Sequence, residues 1–266
     1  EKDCKNIYEL STREQGGKDK FPISEKNIND HAFWDVFLTA TEKTQAPFIK
    51  RTLKKEDVDV TKIENVIRNI VTNQDRKIEK GVIFNYLEGI KPFLADEINI
   101  GELRSKLKYH ATSNTYKIES YYANEQPDDV VKEIRKCLKD ENYTFKIKED
   151  LSILQKIHLK IVYYYYNEIE RGFSNQEHIG PLISRLDKRI NDLEKVIEIK
   201  DDGLENFFTI VSLKKVNPDM TKVLPLLMCK QLYDEKKEKS KKNNDSYLNF
   251  IIDEAHNILS YSSERE

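Results

Sequence analysis

Two stretches of apolar residues at helical spacing, 151–169 and 179–197, constrain the fold of this 266-residue chain more than any other feature. In the first stretch, apolar side chains recur every three or four positions, which predicts one stripe along a long helix. The second stretch has near-heptad spacing, which predicts a helix that packs against a partner helix. The stripe residues are Leu151, Leu154, Ile157, Ile161, Tyr165 and Ile169 in the first stretch, and Ile179, Leu182, Ile183, Leu186, Ile190, Leu193 and Ile197 in the second. A chain of this length can bury a substantial core around them.

Further helices are predicted before these two. Apolar residues at the same spacing predict two helices within 29–53, parted near Pro47, and others over 59–72 and 77–94. Pro127 is followed by two aspartates and predicts another helix start, because acidic residues in a first turn suit the helix dipole. Residues 114–122 alternate in polarity and predict a strand. The middle of the chain is therefore expected to be mainly helical.

Four consecutive tyrosines, at 163–166, fall within the first long helix. Neighbouring rings on a helix point in different directions, and packing at an interface is the commoner use of tyrosine. The alternative interpretation is a stacking platform for nucleic-acid bases.

The character of the chain changes after residue 200. Short apolar runs at 207–211 and 248–252 predict two buried parallel strands, and a helix is predicted between them from Asn217, with Pro225 in an early turn or at a kink. Strand, helix and strand at this spacing predict a βαβ unit. Residues 1–22 follow neither a strand nor a helix period, and we expect an irregular opening.

Acidic and basic residues nearly cancel, to a net charge of -2, although 35% of the chain is charged. This balance argues against a protein whose whole surface is basic and binds nucleic acid, so any DNA contact is expected to be local. The lysine-rich residues 236–242 have two interpretations. They could contact DNA phosphates, or they could form a solvated loop, which the interspersed Glu235 and Glu238 favour.

Three cysteines without CxxC spacing predict reduced thiols in a cytoplasmic protein, and neither a zinc site nor a disulfide framework. No apolar run approaches the roughly 20 residues that are needed to cross a bilayer. A membrane location is therefore not expected.

The most specific motif follows the second apolar run. In P-loop ATPases, a buried strand ends with an aspartate that holds Mg²⁺ through water, and the next residue is a glutamate that orients and deprotonates the attacking water. Asp253 fits the first role and Glu254 fits the second. The alternative is that both residues cap a helix that begins near Ala255. His256 is expected to be a structural, hydrogen-bonded histidine.

A phosphate-binding loop of the form Gly-x-x-x-x-Gly-Lys-[Ser/Thr] would complete such a site, because its backbone N–H groups surround the phosphates. The segment Gly16, Gly17, Lys18 and Asp19 lacks the earlier glycine and the hydroxyl. The chain as given is therefore expected to bind ATP weakly or not at all.

Three stretches carry a resemblance to a known family: 41–48 (Thr-Glu-Lys-Thr-Gln-Ala-Pro-Phe), 181–186 (Pro-Leu-Ile-Ser-Arg-Leu) and 250–257 (Phe-Ile-Ile-Asp-Glu-Ala-His-Asn). Together they resemble the HerA branch of the FtsK–HerA superfamily of P-loop ATPases. The resemblance implies a RecA-like α/β core with a large, mainly helical insertion. The resemblance divides the chain into three parts: residues 1–45 are an opening segment and part of the core, 46–200 are the insertion, and 201–266 are a βαβ unit with the Walker B strand. It also implies a phosphate loop upstream of Glu1 and a polar sensor strand downstream of Glu266.

The resemblance further implies a function and its partners. Members of this family are six-membered rings that hydrolyse ATP with Mg²⁺ and move duplex DNA, and relatives work with a nuclease or an NAD-degrading, Sir2-like effector in DNA processing or antiviral defence. Arginines acting in trans complete such sites by stabilising charge on the transferred phosphoryl group. Arg185 and Arg265 are the candidates, although an arginine on a helix face is usually solvated or salt-bridged.

Two other functions stay open. Residues 253–256 have the sequence Asp-Glu-Ala-His, which is the motif of DEAH-type helicases. The helical insertion argues against a helicase of that type. The chain could instead be a non-catalytic helical module with a degenerate ATPase half, which acts as a scaffold for a defence partner.

Overall fold

A computed structural model describes residues 5–13, 19–73, 80–201, 208–240 and 247–257. Within these ranges the chain is mixed α/β and mostly helical, with small parallel and antiparallel sheets. The α-helices are α1 (Glu25–Ile28), α2 (His31–Phe37), α3 (Gln45–Leu53), α4 (Val60–Thr72), α5 (Val82–Ile90), α6 (Ile100–Lys106), α7 (Pro127–Leu138), α8 (Ile153–Glu170), α9 (Gln176–Val196) and α10 (Pro218–Ser240). The strands are β1 (Lys5–Ser11), β2 (Phe21–Ile23), β3 (Lys108–His110), β4 (Thr115–Ile118), β5 (Tyr121–Tyr122), β6 (Ile197–Ile199) and β7 (Phe208–Lys215), and short 3₁₀ helices cover Lys91–Phe93 and Ala255–Asn257.

The chain divides into two compact units. The first unit combines Glu1–Lys50 with Ser184–Glu266, and the second consists of Arg51–Ile183. The second unit is therefore inserted, in sequence, between the two parts of the first.

The core of the second unit is built around α8. Ser152 begins this helix with a capping box, in which its hydroxyl accepts from Gln155 N while the Gln155 side chain accepts from Ser152 N. The predicted stripe residues are all buried, and all of them except Leu151, which precedes the helix, lie on α8, which confirms the helix. Residues 162–166, which include positions off that stripe, are buried as well. A helix that is buried around most of its circumference is typical of a core position, and α8 packs against α4 and α5.

The four tyrosines of α8 belong to this core. Each ring is at most 9% exposed, and neighbouring rings pack edge to face, with centroids 4.8 Å apart in the pair Tyr163 and Tyr164. The hydroxyl of Tyr164 donates to the carbonyl oxygen of Glu56 at 3.0 Å. The rings are therefore closed to nucleic-acid bases, so the stacking platform is wrong and interior packing is correct.

Local signals account for the other elements of this unit. Asp59 caps α4 by accepting from Lys62 N, and Pro127 opens α7, as the first-turn pattern predicts. The strand expected within 114–122 is confirmed as β4 and β5, which form an antiparallel sheet with β3.

Two parallel strand pairs lie in the first unit. β1 pairs with β7, with Ile7 opposite Ile210, and β2 pairs with β6, with Phe21 opposite Ile197. The irregular opening expected for residues 1–22 is thus wrong at β1 and β2. Because both strands pair with strands far along the chain, the periodicity of the local sequence does not predict them. No P-loop nucleotide-binding fold is identified in the described parts of the chain.

The βαβ unit expected at the end of the chain is wrong in two respects. β7 forms at the expected place, but Phe208 is 56% exposed and Ile210 is 41% exposed, so it is not a buried strand. Residues 248–252 have no regular structure, and Ile251 is 93% exposed. β7 pairs with β1 instead, and no described strand pairs with 248–252. An apolar run becomes a strand only where a partner supplies hydrogen bonds to its backbone.

α10 packs against α2 in the first unit. The Gln231 side chain, 4% exposed, accepts from Ser24 N at 3.1 Å and donates to the carbonyl oxygen of Pro22 at 3.1 Å, which links α10 to β2. Pro225 lies inside α10, and the helix continues to Ser240. The loop expected from residue 236 is therefore helical over its first residues.

Candidate functional site

The two carboxylates of the predicted site, Asp253 and Glu254, lie in a turn directly before the 3₁₀ helix Ala255–Asn257. Both side chains are exposed. The N–H of Glu254 donates to Asp253 Oδ1 at 3.0 Å, and Glu254 Oε2 is 3.3 Å from His256 Nδ1. These contacts stay within four consecutive residues, so the described geometry of the site is local.

Glu254 has a backbone φ of +53°, in the left-handed region that L-residues with a Cβ atom avoid. The bond from its N–H to the Asp253 side chain supports this turn. Such backbone angles are common at functional sites and also occur in ordinary turns. The Asp253 carboxylate therefore supports the local turn through its Oδ1 atom.

The magnesium role of Asp253 stays a prediction from the sequence. Mg²⁺ usually keeps several waters and takes only one or two carboxylates from a protein, and Asp253 presents an exposed carboxylate. No group of three or more His, Cys, Asp or Glu side chains arranged for a metal occurs among the described residues. A magnesium ion held here would thus rely on water and phosphate oxygens for most of its ligands. The glycines Gly16 and Gly17 lie outside the described residues.

Arg185 lies on α9, within the first unit. Its Nη2 donates to Gln45 Oε1 at 2.6 Å, and the same oxygen accepts from Thr41 N at 3.2 Å. The stretches 41–48 and 181–186, which are far apart in sequence, therefore meet at one side-chain amide. One turn further along α9, Arg189 Nη1 donates to the carbonyl oxygen of Phe37 at 2.7 Å.

The environment of Arg185 is unusual for a cation. Burial, and then repulsion by Arg189, lower the pKa of the Arg185 guanidinium. Its Nε is enclosed by protein and has no acceptor among the described residues. Gln45 is 4% exposed, so the amide that holds Arg185 is itself fixed in the interior.

Among the described residues, no polar contact joins Arg185 to Asp253 or to Glu254. In the described part of the chain, the polar contacts of Arg185 are with Gln45, and those of Asp253 and Glu254 stay within 253–256. Arg265 lies outside the described residues. Sequence reasoning missed Gln45 and Arg189, although the spacing of Arg185 and Arg189 by four positions places both on one helix face.

Cys137 and Cys229 are free, and burial raises the pKa of both thiols, which makes them poor nucleophiles. None of the described helices is both long and apolar enough to span a bilayer.

No protein-family model matches the chain, and a comparison with curated proteins finds no match either.

Proposed function

We propose that this chain is part of an ATP-hydrolysing motor subunit of HerA type. One observation carries the proposal: two consecutive, solvent-facing carboxylates, Asp253 and Glu254, directly follow the apolar run 248–252 and precede Ala, His and Asn. The first unit adds support, since it contains parallel strand pairs interrupted in sequence by a mainly helical unit.

In the proposed reaction, the two carboxylates have separate tasks. Asp253 would hold Mg²⁺ through water, and the ion would supply charge neutralisation at the phosphates of ATP. Glu254 orients the attacking water and accepts its proton. An arginine from a neighbouring subunit, Arg185 or Arg265, stabilises charge on the transferred phosphoryl group. The proposal also requires a phosphate-cradling loop.

The apolar residues before the carboxylates give this proposal a structural requirement. Tyr247 is 94% exposed, Ile251 is 93% exposed, and Leu248 and Phe250 are also exposed. Each such side chain gains about 1.5–3 kcal/mol when it is fully buried. We therefore propose that this run is covered in the working assembly, a hexameric ring, which would also fix the position of Asp253 and Glu254.

The ring is proposed to act on duplex DNA together with a nuclease or an NAD-degrading effector. The net charge of -2 is compatible with a local DNA contact rather than a basic coat.

ATP turnover by the complete protein containing this chain tests the proposal. Glu254→Gln should lower kcat about 100-fold or more while nucleotide still binds, because the base is lost and the magnesium ligand stays. Asp253→Asn should weaken Mg²⁺-dependent nucleotide binding. Glu125→Gln, at an exposed glutamate of the second unit, is the matched control and should turn over like the wild type. Full turnover by Glu254→Gln would overturn the assignment of the base.

A non-catalytic scaffold is the second candidate, favoured by the self-contained helical core of the second unit and by the purely local contacts of Asp253 and Glu254. The same assay separates the two. A scaffold shows no turnover in the wild type and no change with Glu254→Gln.

A further inference from the structure

The three-stranded sheet of the second unit has one buried face and one exposed face. Tyr116 and Ile118 on β4 are 5% and 0% exposed, and they belong to the buried face, since α4 and α7 pack against β4. Lys117, between them, lies opposite Lys108 on β3 and opposite Tyr122 on β5. Residues directly opposite each other on antiparallel strands share a face. Lys108, Lys117 and Tyr122 therefore form a row across the exposed face, and none of the three is buried.

A histidine extends this row. His110 lies two positions beyond Lys108 on β3, which places it on the same face. Its ring packs edge to face against the ring of Tyr122, with centroids 5.6 Å apart. Its Nδ1 is 2.7 Å from the hydroxyl oxygen of Ser113, and this contact holds the imidazole in place. Lys117 Nζ lies 4.8 Å from the centroid of the Tyr122 ring. We call Lys108, His110, Lys117 and Tyr122 the basic-aromatic face.

The two lysines of this face lack an ion-pair partner. Like charges directly opposite each other on neighbouring strands repel. Among the residues that the structure describes, no carboxylate oxygen lies within ion-pair distance of Lys108 or Lys117. The acidic residue that follows β4, Glu119, interacts electrostatically with Lys106 and Cys137, on α6 and α7. The basic-aromatic face therefore presents two ammonium groups beside two aromatic rings.

This combination of groups favours one class of ligand. Ammonium groups bind phosphates, and aromatic rings stack on nucleic-acid bases. A single strand offers both its phosphates and its unpaired bases, whereas a duplex keeps its bases stacked inside and offers an exposed sheet mainly phosphates. An acidic peptide would pair with the lysines and leave the rings unused. A single-stranded nucleic acid is thus the ligand that uses every group of the basic-aromatic face.

We propose that the basic-aromatic face binds a single-stranded nucleic acid. A base stacks on the Tyr122 ring where the Lys117 ammonium now lies, and this ammonium moves onto a phosphate next to that base. Lys108, on the neighbouring strand, binds a second phosphate. The site shares no residue with Asp253 and Glu254 and needs no ATP, and its ligand is not duplex DNA. It therefore stands or fails separately from the proposed function.

Fluorescence anisotropy of a labelled oligouridylate, titrated with the whole chain in the absence of ATP, tests the proposal. The oligouridylate should bind more tightly than a duplex of the same length. Two phosphate contacts predict that the logarithm of the binding constant falls with the logarithm of the salt concentration with a slope of about -1.4. Lys108→Gln and Lys117→Gln should each reduce this slope by about 0.7. Lys54→Gln is the control, at an exposed lysine of the second unit, and should leave the slope unchanged.

The stacked base is tested at Tyr122. Tyr122→Leu should weaken binding of the oligouridylate about 5- to 150-fold, because it removes one base-stacking ring, and Tyr122→Phe should bind like the wild type. Tyr233→Leu is the matched control, at a tyrosine of α10 that is 57% exposed. Far-UV circular dichroism shows whether Tyr122→Leu is folded. If it is not, Tyr122→Phe and the two lysine variants decide the proposal, since they leave the sheet intact.

An oligodeoxyuridylate of the same length identifies the kind of strand. Tighter binding of the oligouridylate assigns RNA through a contact to its 2′-hydroxyls, and equal binding assigns any single strand. The proposal is overturned if the duplex binds as tightly as the single strand, or if the folded Tyr122→Leu variant and both lysine variants bind like the wild type. Polyglutamate that displaces the label as well as unlabelled oligouridylate does would also overturn it and would indicate an acidic protein partner.

Discussion

The guanidinium of Arg51 donates a hydrogen bond of 2.7 Å to the carboxylate of Glu168, in the last turns of α8. Lys55 Nζ and Ser174 Oγ donate to the same carboxylate at 2.9 Å and 2.6 Å. The Glu168 side chain is only 6% exposed, so burial alone would raise its pKa. The hydrogen bonds from Arg51, Ser174 and Lys55 outweigh burial and lower the pKa of Glu168 to about 2. One charged side chain thus joins three segments of the second unit.

The lowered pKa of Glu168 predicts acid sensitivity. Because the folded pKa lies below the ordinary value of 4.5, the stabilisation is complete above pH 4.5 and is lost as the pH falls toward 2. Its size is about 3 kcal/mol. Glu168→Gln should therefore destabilise the chain at pH 7 by a similar amount and by clearly less at pH 3. Urea unfolding followed by far-UV circular dichroism at both pH values measures this. An equal loss at the two pH values would show that packing, and not charge, explains the effect.

The close packing of Gly89, on α5 of the second unit, predicts that a larger side chain at this position is destabilising. A Cβ atom at this position would lie 3.0 Å from Val162 Cγ1 on α8. Ala is normally the better helix former by about 1 kcal/mol, but here it overpacks the contact between α5 and α8. Gly89→Ala should destabilise the chain by about 1–3 kcal/mol. Gly101→Ala is the matched control in the exposed start of α6, where the nearest atom is 3.5 Å away, and should be neutral or stabilising. Equal changes in the free energy of unfolding for the two variants would show that the contact with Val162 is not the cause.

The capping box of α8 can be tested at Ser152. Its hydroxyl accepts from Gln155 N at 3.1 Å at the start of the central helix. Ser152→Ala should lower the free energy of unfolding by about 1 kcal/mol, and Ser152→Asp should retain most of the wild-type value, because aspartate also caps well. Chemical denaturation of the three proteins decides this. An unchanged free energy of unfolding in Ser152→Ala would mean that packing alone determines where α8 begins.

A substitution at Ile251 should have different effects on the stability of this chain and on the activity of the proposed motor. Since it is 93% exposed, Ile251→Asn should change the free energy of unfolding of this chain by less than about 0.5 kcal/mol. Ile161→Ala, at a fully buried position of α8, should cost about 2–5 kcal/mol in the same measurement. In the complete ATPase, Ile251→Asn should reduce turnover, because the proposal requires this run to be covered. Unchanged turnover would count against that requirement.

Helices were predictable because their hydrogen bonds and caps are local. The spacing of Leu154, Ile157 and Ile161, and the signal at Pro127, are all within one or two turns of the helices that they specify. The burial of the opposite side of α8 was less obvious, because it depends on which helices surround α8 and not on its own period. The same limit applies to the tyrosines at 163–166, whose rings are closed off by neighbouring elements.

Amino-acid order alone was enough to predict the mainly helical middle of the chain and the start of α7 at Pro127. It also predicts chemical roles for Asp253 and Glu254, which stay predictions. Tertiary structure decided that β1 pairs with β7, that residues 248–252 remain irregular and exposed, and that Gln45 meets Arg185. The physical reason is the range of the interactions. A helix forms its backbone hydrogen bonds within four residues, whereas a strand, or a buried guanidinium, takes its partners from distant parts of the chain that only the folded molecule brings together.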